Sequence, residues 1–203
     1  MKQQKIVRIK RALVALPCVV IVATLSALVF STYSQASIQG NPTTAVTVIL
    51  VRHAEKKIVP PENKDPDISA EGEKRAAELA KMFGETGIGA IYASQYKRTQ
   101  QTVKPLADKL GIAATQVEAQ KTPELVKQIR SQKPGQVVLV AGHNNTVPEL
   151  IAALGGPQLP IIPETQYDNL FILTVNGDGS AKLLKLKYGS GQPVMGQGMM
   201  GPP

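Results

Sequence analysis

The sequence is short of the residues that usually carry distinctive chemistry. Its 203 positions hold one cysteine, Cys18, two histidines, no tryptophan and 4% aromatic residues. Cys18 lies in an N-terminal apolar run, so the rest of the chain can form no internal disulfide, thiolate metal site or cysteine nucleophile. With so few aromatics there is little material for stacking bases. Imidazole chemistry, if there is any, must use His53, His143 or both. Acidic residues are absent before Glu55, whereas Lys2, Lys5, Arg8, Lys10 and Arg11 are already present. Those five cations account for most of the formal net charge of +8, and without them it falls to +3. The folded part therefore lacks the basic footprint of a nucleic-acid binder, and no nucleic acid is expected as a partner.

What is present at the N-terminus is an export pattern. Residues 1–11 are basic and polar, residues 12–30 are almost wholly apolar and uncharged, and Ser34-Gln35-Ala36 offers small residues where a signal peptidase reads. The apolar run nearly matches a bilayer core in length, so residues 1–36 are expected to be either a cleaved signal peptide or a retained membrane tether through 12–30. The charge asymmetry across the run places the remainder of the chain outside the cytoplasm, in a periplasmic or membrane-anchored position. Residues 37–44 read as a linker and 189–203, rich in Gly, Met and Pro, as a disordered tail. One domain over 45–188 remains.

Within it, Ala45–Val51 is an unbroken β-favouring run of the kind buried in a parallel sheet. A Pro-rich loop follows, and then a helix capped by Ser69 that reaches about Phe83. Ile88–Ala93 reads as a second strand, and Ser94 as the cap of a helix to Leu110 that Pro105 should kink. Ile112–Val117 is a weak third strand, and Thr122-Pro123-Glu124 a helix start with Thr122 as cap. Val137–Ala141 is a central strand followed by a helix from Thr146 to Leu154. Asn169–Val175 and Ala181–Tyr188 flank Asn176-Gly177-Asp178-Gly179 as a hairpin. Strands alternating with helices imply an α/β layered domain, mostly parallel with an antiparallel edge.

In such sheets ligands sit at the carboxyl ends of the strands. Arg52-His53 follows strand one, Ser94 and Arg98 follow strand two, and His143-Asn144 follows the central strand. Arginine forks match the oxygens of a phosphoryl group, and histidines can donate to it or attack it. A lone His or Arg would be read as structural, but four of them at one sheet edge imply a phosphate ester.

Four stretches, Val51-Arg52-His53-Ala54-Glu55, Ile68-Ser69-Ala70-Glu71-Gly72 with Arg75-Ala76, Ser94 with Arg98-Thr99-Gln100-Gln101-Thr102 and Pro105-Leu106-Ala107, and Gly142-His143-Asn144-Asn145-Thr146-Val147-Pro148, together resemble the histidine phosphatase superfamily in its small bacterial form. The resemblance implies a three-layer phosphoglycerate mutase-like domain with helices on both faces of the sheet. It also implies that His53 attacks phosphorus to form a phosphohistidine, while Arg52, Arg98 and His143 hold the oxygens and Asn144 contacts the substrate. No metal and no other cofactor is implied. The substrate would be a small phosphorylated molecule or a phosphoprotein, the alternative being a binding or sensory module without turnover.

The general acid has no obvious owner. The resemblance offers a Glu between the second arginine and the second histidine, or an Asp directly after that histidine, where Asn144 stands. Glu118, Glu124 and Glu55 remain as alternatives. Glu118 lies at the end of the third strand, whereas Glu124 fits a helix's first turn on dipole grounds alone. If none of them serves, leaving groups of low pKa would react best.

Overall fold

The computed structural model describes residues 45–189. The export segment at 1–36 and the Met-containing tail lie outside the described residues, so the expectations placed on them have no structural counterpart. Among the described residues no helix is long and apolar enough to cross a membrane.

The chain runs β1 (Val46–Arg52), α1 (Ala70–Phe83), β2 (Ile88–Ala93), α2 (Lys97–Leu110), β3 (Ala114–Gln116), α3 (Thr122–Arg130), β4 (Val137–Gly142), α4 (Thr146–Ala153), β5 (Asn169–Val175) and β6 (Ala181–Lys187). The strands form one sheet in the order β3-β2-β4-β1-β5-β6. Pairing is parallel from β3 through β1 and antiparallel at β5 and β6, which is the α/β arrangement that the alternation of strands and helices implied.

The unbroken apolar run of β1 follows from burial on both faces. Val48 and Leu50 pack on one side with Val140, Ile151, Leu154 and Leu173. Ile49 and Val51 pack on the other with Leu79, Ile91, Val103 and Leu106. Side chains alternate along a strand, so a residue string with no polar position is what a strand between two helical layers requires. Each of these buried side chains contributes about 1.5–3 kcal/mol.

Several element ends differ from expectation for identifiable reasons. The Ser69 cap forms, its Oγ accepting from the Gly72 N–H at 3.3 Å. Ser94, by contrast, caps nothing: α2 begins at Lys97 with Tyr96 at the cap position, because the Ser94 hydroxyl is engaged with His143 and Thr99. Lys121 rather than Thr122 is the cap residue of α3, and Pro123 lies in its first turn. The third strand shrinks to Ala114–Gln116 at the sheet edge, where it has a partner on one side only. The helix expected to kink at Pro105 is assigned as one helix through that residue and ends at Gly111, whose φ of 66° is the left-handed conformation that glycine adopts without steric cost.

Register sets the position of the site. Arg52 pairs with Gly142, and Ala93 with Ala141, so the three parallel strands end at one level. The His53 N–H continues the ladder by donating to the Gly142 carbonyl at 2.9 Å. The residues following β1, β2 and β4 are thereby delivered to one edge.

Candidate active site

Four segments converge there. A pocket is lined by Arg52, His53, Arg98, His143, Asn144 and, on its outer side, Lys56, Tyr96, Glu149 and Glu164. The His53 and His143 rings meet edge to face with centroids 5.5 Å apart.

His53 is 4% exposed, and its Nδ1 is 2.7 Å from the Ala54 carbonyl oxygen. A carbonyl can only accept, so Nδ1 carries the proton and Nε2 keeps its lone pair. Burial, joined by the charges of Arg52, His143 and Arg98, outweighs the stabilising backbone bond and lowers the His53 pKa to about 3. The imidazole is neutral and nucleophilic at any physiological pH. Its main chain is held by α2: the Ala54 N–H donates to Thr102 Oγ1 at 2.8 Å, and that hydroxyl donates to the Arg98 carbonyl at 2.6 Å.

His143 Nε2 lies 2.9 Å from Ser94 Oγ, which lies 2.8 Å from Thr99 Oγ1. The Thr99 hydroxyl donates to backbone carbonyls of Ser94 and Tyr96. It must then accept from Ser94, and Ser94 in turn accepts from His143 Nε2–H. This chain leaves Nδ1 as the nitrogen without a proton in the neutral ring. Burial and then the charges of Arg98 and Arg52 bring the His143 pKa down to about 4.

Arg52 is 1% exposed and carries a double duty. Its Nη1 donates to the carbonyls of Pro163, Glu164 and Gln166 at 2.9, 3.0 and 3.1 Å. Nη2 meets the Glu164 carboxylate at 2.7 Å, and Nε is buried without a hydrogen-bond partner. The guanidinium stacks on Tyr167 at 4.2 Å, as that of Arg98 does on Tyr96 at 4.3 Å. Arg98 also faces Asp65 at 3.6 Å. Stacking fixes the plane of each fork and leaves its edge for an anion.

The acid candidates are distributed as follows. Glu118 is exposed and lines a neighbouring apolar crevice with Val117, Leu125 and Leu150, while Ala119 and Gln120 face the catalytic pocket. The turn after β3, in which the Lys121 N–H reaches the Glu118 carbonyl, produces that offset. Glu124 is exposed and pairs with Lys121 at 3.5 Å. Glu55 is gripped by Arg75 through both Nε and Nη2, while Arg75 Nη1 donates to the Tyr188 carbonyl at 2.8 Å. Its role is to join the exit of β1 to α1 and to the residue after β6. Gly72 belongs to the same junction, since a Cβ there would run into the Glu55 carbonyl.

The carboxylates that do line the pocket are Glu149 and Glu164, neither of which the sequence had singled out. Glu164 sits in a loop with no periodic signal. Glu149 lies in the first turn of α4 and is as well explained there by the dipole as Glu124 is in α3. Asn144 donates to Glu164 Oε1 at 2.7 Å. Among the described residues no group of three or more His, Cys, Asp or Glu side chains is placed to hold a metal ion.

Comparison with known proteins agrees with this geometry. The chain matches no curated protein sequence. In fold it is similar to a protein histidine phosphatase SixA solved with tungstate, at 17% identity and a TM-score of 0.58 over 70% of this chain and 96% of the other. A phosphohistidine phosphatase SixA homologue from Agrobacterium tumefaciens gives 22% identity and a TM-score of 0.55 over 72% and 99%. A mycobacterial glucosyl-3-phosphoglycerate phosphatase gives 14% and 0.54 over 71% and 100%. Residues 48–125, which include Arg52, His53 and Arg98, match the family model of the histidine phosphatase superfamily, branch 1, and with this fold the chain belongs to that superfamily.

Proposed function

We propose that the protein is a phosphatase that hydrolyses a phosphomonoester or phosphoprotein through a phosphohistidine on His53. The observation that carries this reading is the neutral His53, its proton tied to the Ala54 carbonyl, beside two arginines and a second histidine in one pocket. His53 Nε2 attacks phosphorus, forming a P–N bond as the P–O bond to the leaving group breaks. Arg52 and Arg98 stabilise the charge that accumulates on the equatorial oxygens, and Asn144 donates to the same group. His143 joins them when its Nδ1 takes a proton. Water then cleaves the P–N bond, releasing phosphate and restoring neutral His53. Glu149 lines the pocket and is positioned to protonate the departing oxygen.

The cations and apolar run of residues 1–30 support an exported domain, periplasmic or tethered. Fractionation of cells expressing the full chain tests that placement, and recovery in the cytosol would refute it.

Activity is tested with p-nitrophenyl phosphate and the full chain, chelator present, beside His53→Ala. Phosphate release by the parent and its loss in the variant are expected. A folded parent that binds phosphate without releasing it from esters would instead identify a binding module.

A further inference from the structure

Residues 56–66 leave β1 as an arm tied down at both ends. Lys56 bridges to Ile68, and the Lys57 N–H donates to the Asp67 carbonyl at 2.9 Å. The arm turns where the Asn63 N–H meets the Pro60 carbonyl at 3.0 Å. It returns on Asp65, whose carboxylate accepts from the Lys97 N–H at 3.0 Å and faces Arg98 at 3.6 Å. Pro60, Pro61 and Pro66 stiffen it, so little ordering cost falls on a ligand that uses it.

A groove runs along this arm and is closed on its far side by Arg98 and Tyr167. Four cations line it, Lys56, Lys57, Lys64 and Arg98, and no carboxylate does. Asp65, which offsets part of the Arg98 charge, is not among the lining residues. Val59, Pro60 and Pro61 add apolar walls, which strengthen the attraction of lysines for an anion by keeping water away from it. Lys56 and Arg98 also line the catalytic pocket, so the two depressions adjoin. An unbalanced cationic groove beside a phosphoryl pocket requires a ligand that is anionic at two places.

We propose that this groove is a subsite for a second phosphate on the leaving group, which makes the preferred substrates bisphosphorylated molecules. The proposal rests on the phosphatase reading for its turnover and on the groove alone for its binding. Lys57 and Lys64 are its specificity residues and take no part in the chemistry.

The test measures kcat/KM of the full chain at low salt for fructose 1,6-bisphosphate and fructose 6-phosphate, with p-nitrophenyl phosphate as reference. The bisphosphate is expected to lead by about ten-fold, the size that two or three exposed charge contacts provide. The Lys57→Ala/Lys64→Ala double variant should bring that ratio close to one and leave p-nitrophenyl phosphate hydrolysis unchanged. A parent ratio near one, or a ratio that survives in the double variant, overturns the proposal. So does an equal loss for all three substrates, which would mean that the arm only attracts anions in general. Titration calorimetry of both sugar phosphates with His53→Ala separates the two readings: if no ester is hydrolysed, tighter bisphosphate binding that is lost on adding the lysine substitutions upholds the subsite while the phosphatase reading fails. Equal binding of the two sugars overturns the subsite.

Discussion

Glu164 makes the pocket its own competitor. Its carboxylate takes Arg52 Nη2 at 2.7 Å and the Asn144 amide at 2.7 Å, two donors that a phosphoryl group needs, while Arg52 Nε remains buried without a partner. An oxyanion that engages the Nε and Nη2 edge must displace this carboxylate and then sit near it. The Glu164 side chain is 68% exposed, so the pair it forms with Arg52 is worth about 0.2–1 kcal/mol in spite of the buried guanidinium. Residual repulsion with the bound anion is of the same order and is screened by salt. Glu164→Gln keeps the shape and removes the charge, so oxyanion binding should tighten by about five-fold, equivalent to ~1 kcal/mol. The assay is the inhibition constant of orthovanadate against p-nitrophenyl phosphate hydrolysis at pH 7, measured at low and high salt with KM and kcat. The expected result is a lower inhibition constant, a lower KM, an unchanged kcat and a difference that shrinks as salt rises. Unchanged or weaker binding would refute the competition. A kcat lowered ten-fold or more would make Glu164 part of the chemistry instead.

Three further outcomes are expected from the geometry. Glu149→Gln should slow hydrolysis of phenyl phosphate, a poor leaving group, by about 10²-fold and that of p-nitrophenyl phosphate far less, and equal effects on the two would remove Glu149 as proton donor. Arg75→Ala strips a buried partner from Glu55 and from the Tyr188 carbonyl; urea denaturation should show a loss of about 3–5 kcal/mol, and a loss under 1 kcal/mol would mean that the junction is not structural. Both histidines have pKa values below the ordinary 6.5, so below that pH the unfolded chain binds protons that the fold does not. Stability is full above pH 6.5 and declines as the pH falls toward 4. His53→Asn should flatten the dependence of the urea midpoint on pH in that window, and an unaltered slope would contradict the burial argument.

How much of this was legible in the sequence depended on whether a residue's signal is local. β2, at Ile88–Ala93, and α1, up to Phe83, were readable because apolar period, caps and glycine stops all agree there. His53, Arg98 and His143 were readable because strand ends locate them without any knowledge of side-chain contacts. Ser94 misled for an instructive reason: a serine before a helix is normally its cap, and only the approach of His143 from β4 diverts it. The aromatic faces that orient the arginines come from Tyr96 and Tyr167, of which the sequence offered only Tyr167, as a residue bordering the pocket. Glu164 was illegible because its loop reaches Arg52 across 112 residues. Glu55 shows the reverse case: it is close to His53 in sequence, yet it is committed to Arg75, 20 residues away.

The three carbonyls on Arg52 Nη1 bear on how relatives of this protein should be interpreted. A side chain that fastens the loop at 163–166 while presenting its other edge to a ligand is retained by selection on folding even after selection on turnover has ceased. A descendant that lost its activity would therefore still carry arginine at this position. His53 has no comparable duty, since its one side-chain hydrogen bond is to the adjacent residue. Loss of the histidine from an otherwise intact Arg-His pair is the substitution that would mark a lineage as having given up catalysis, whereas the arginine reports only that the loop is still in place.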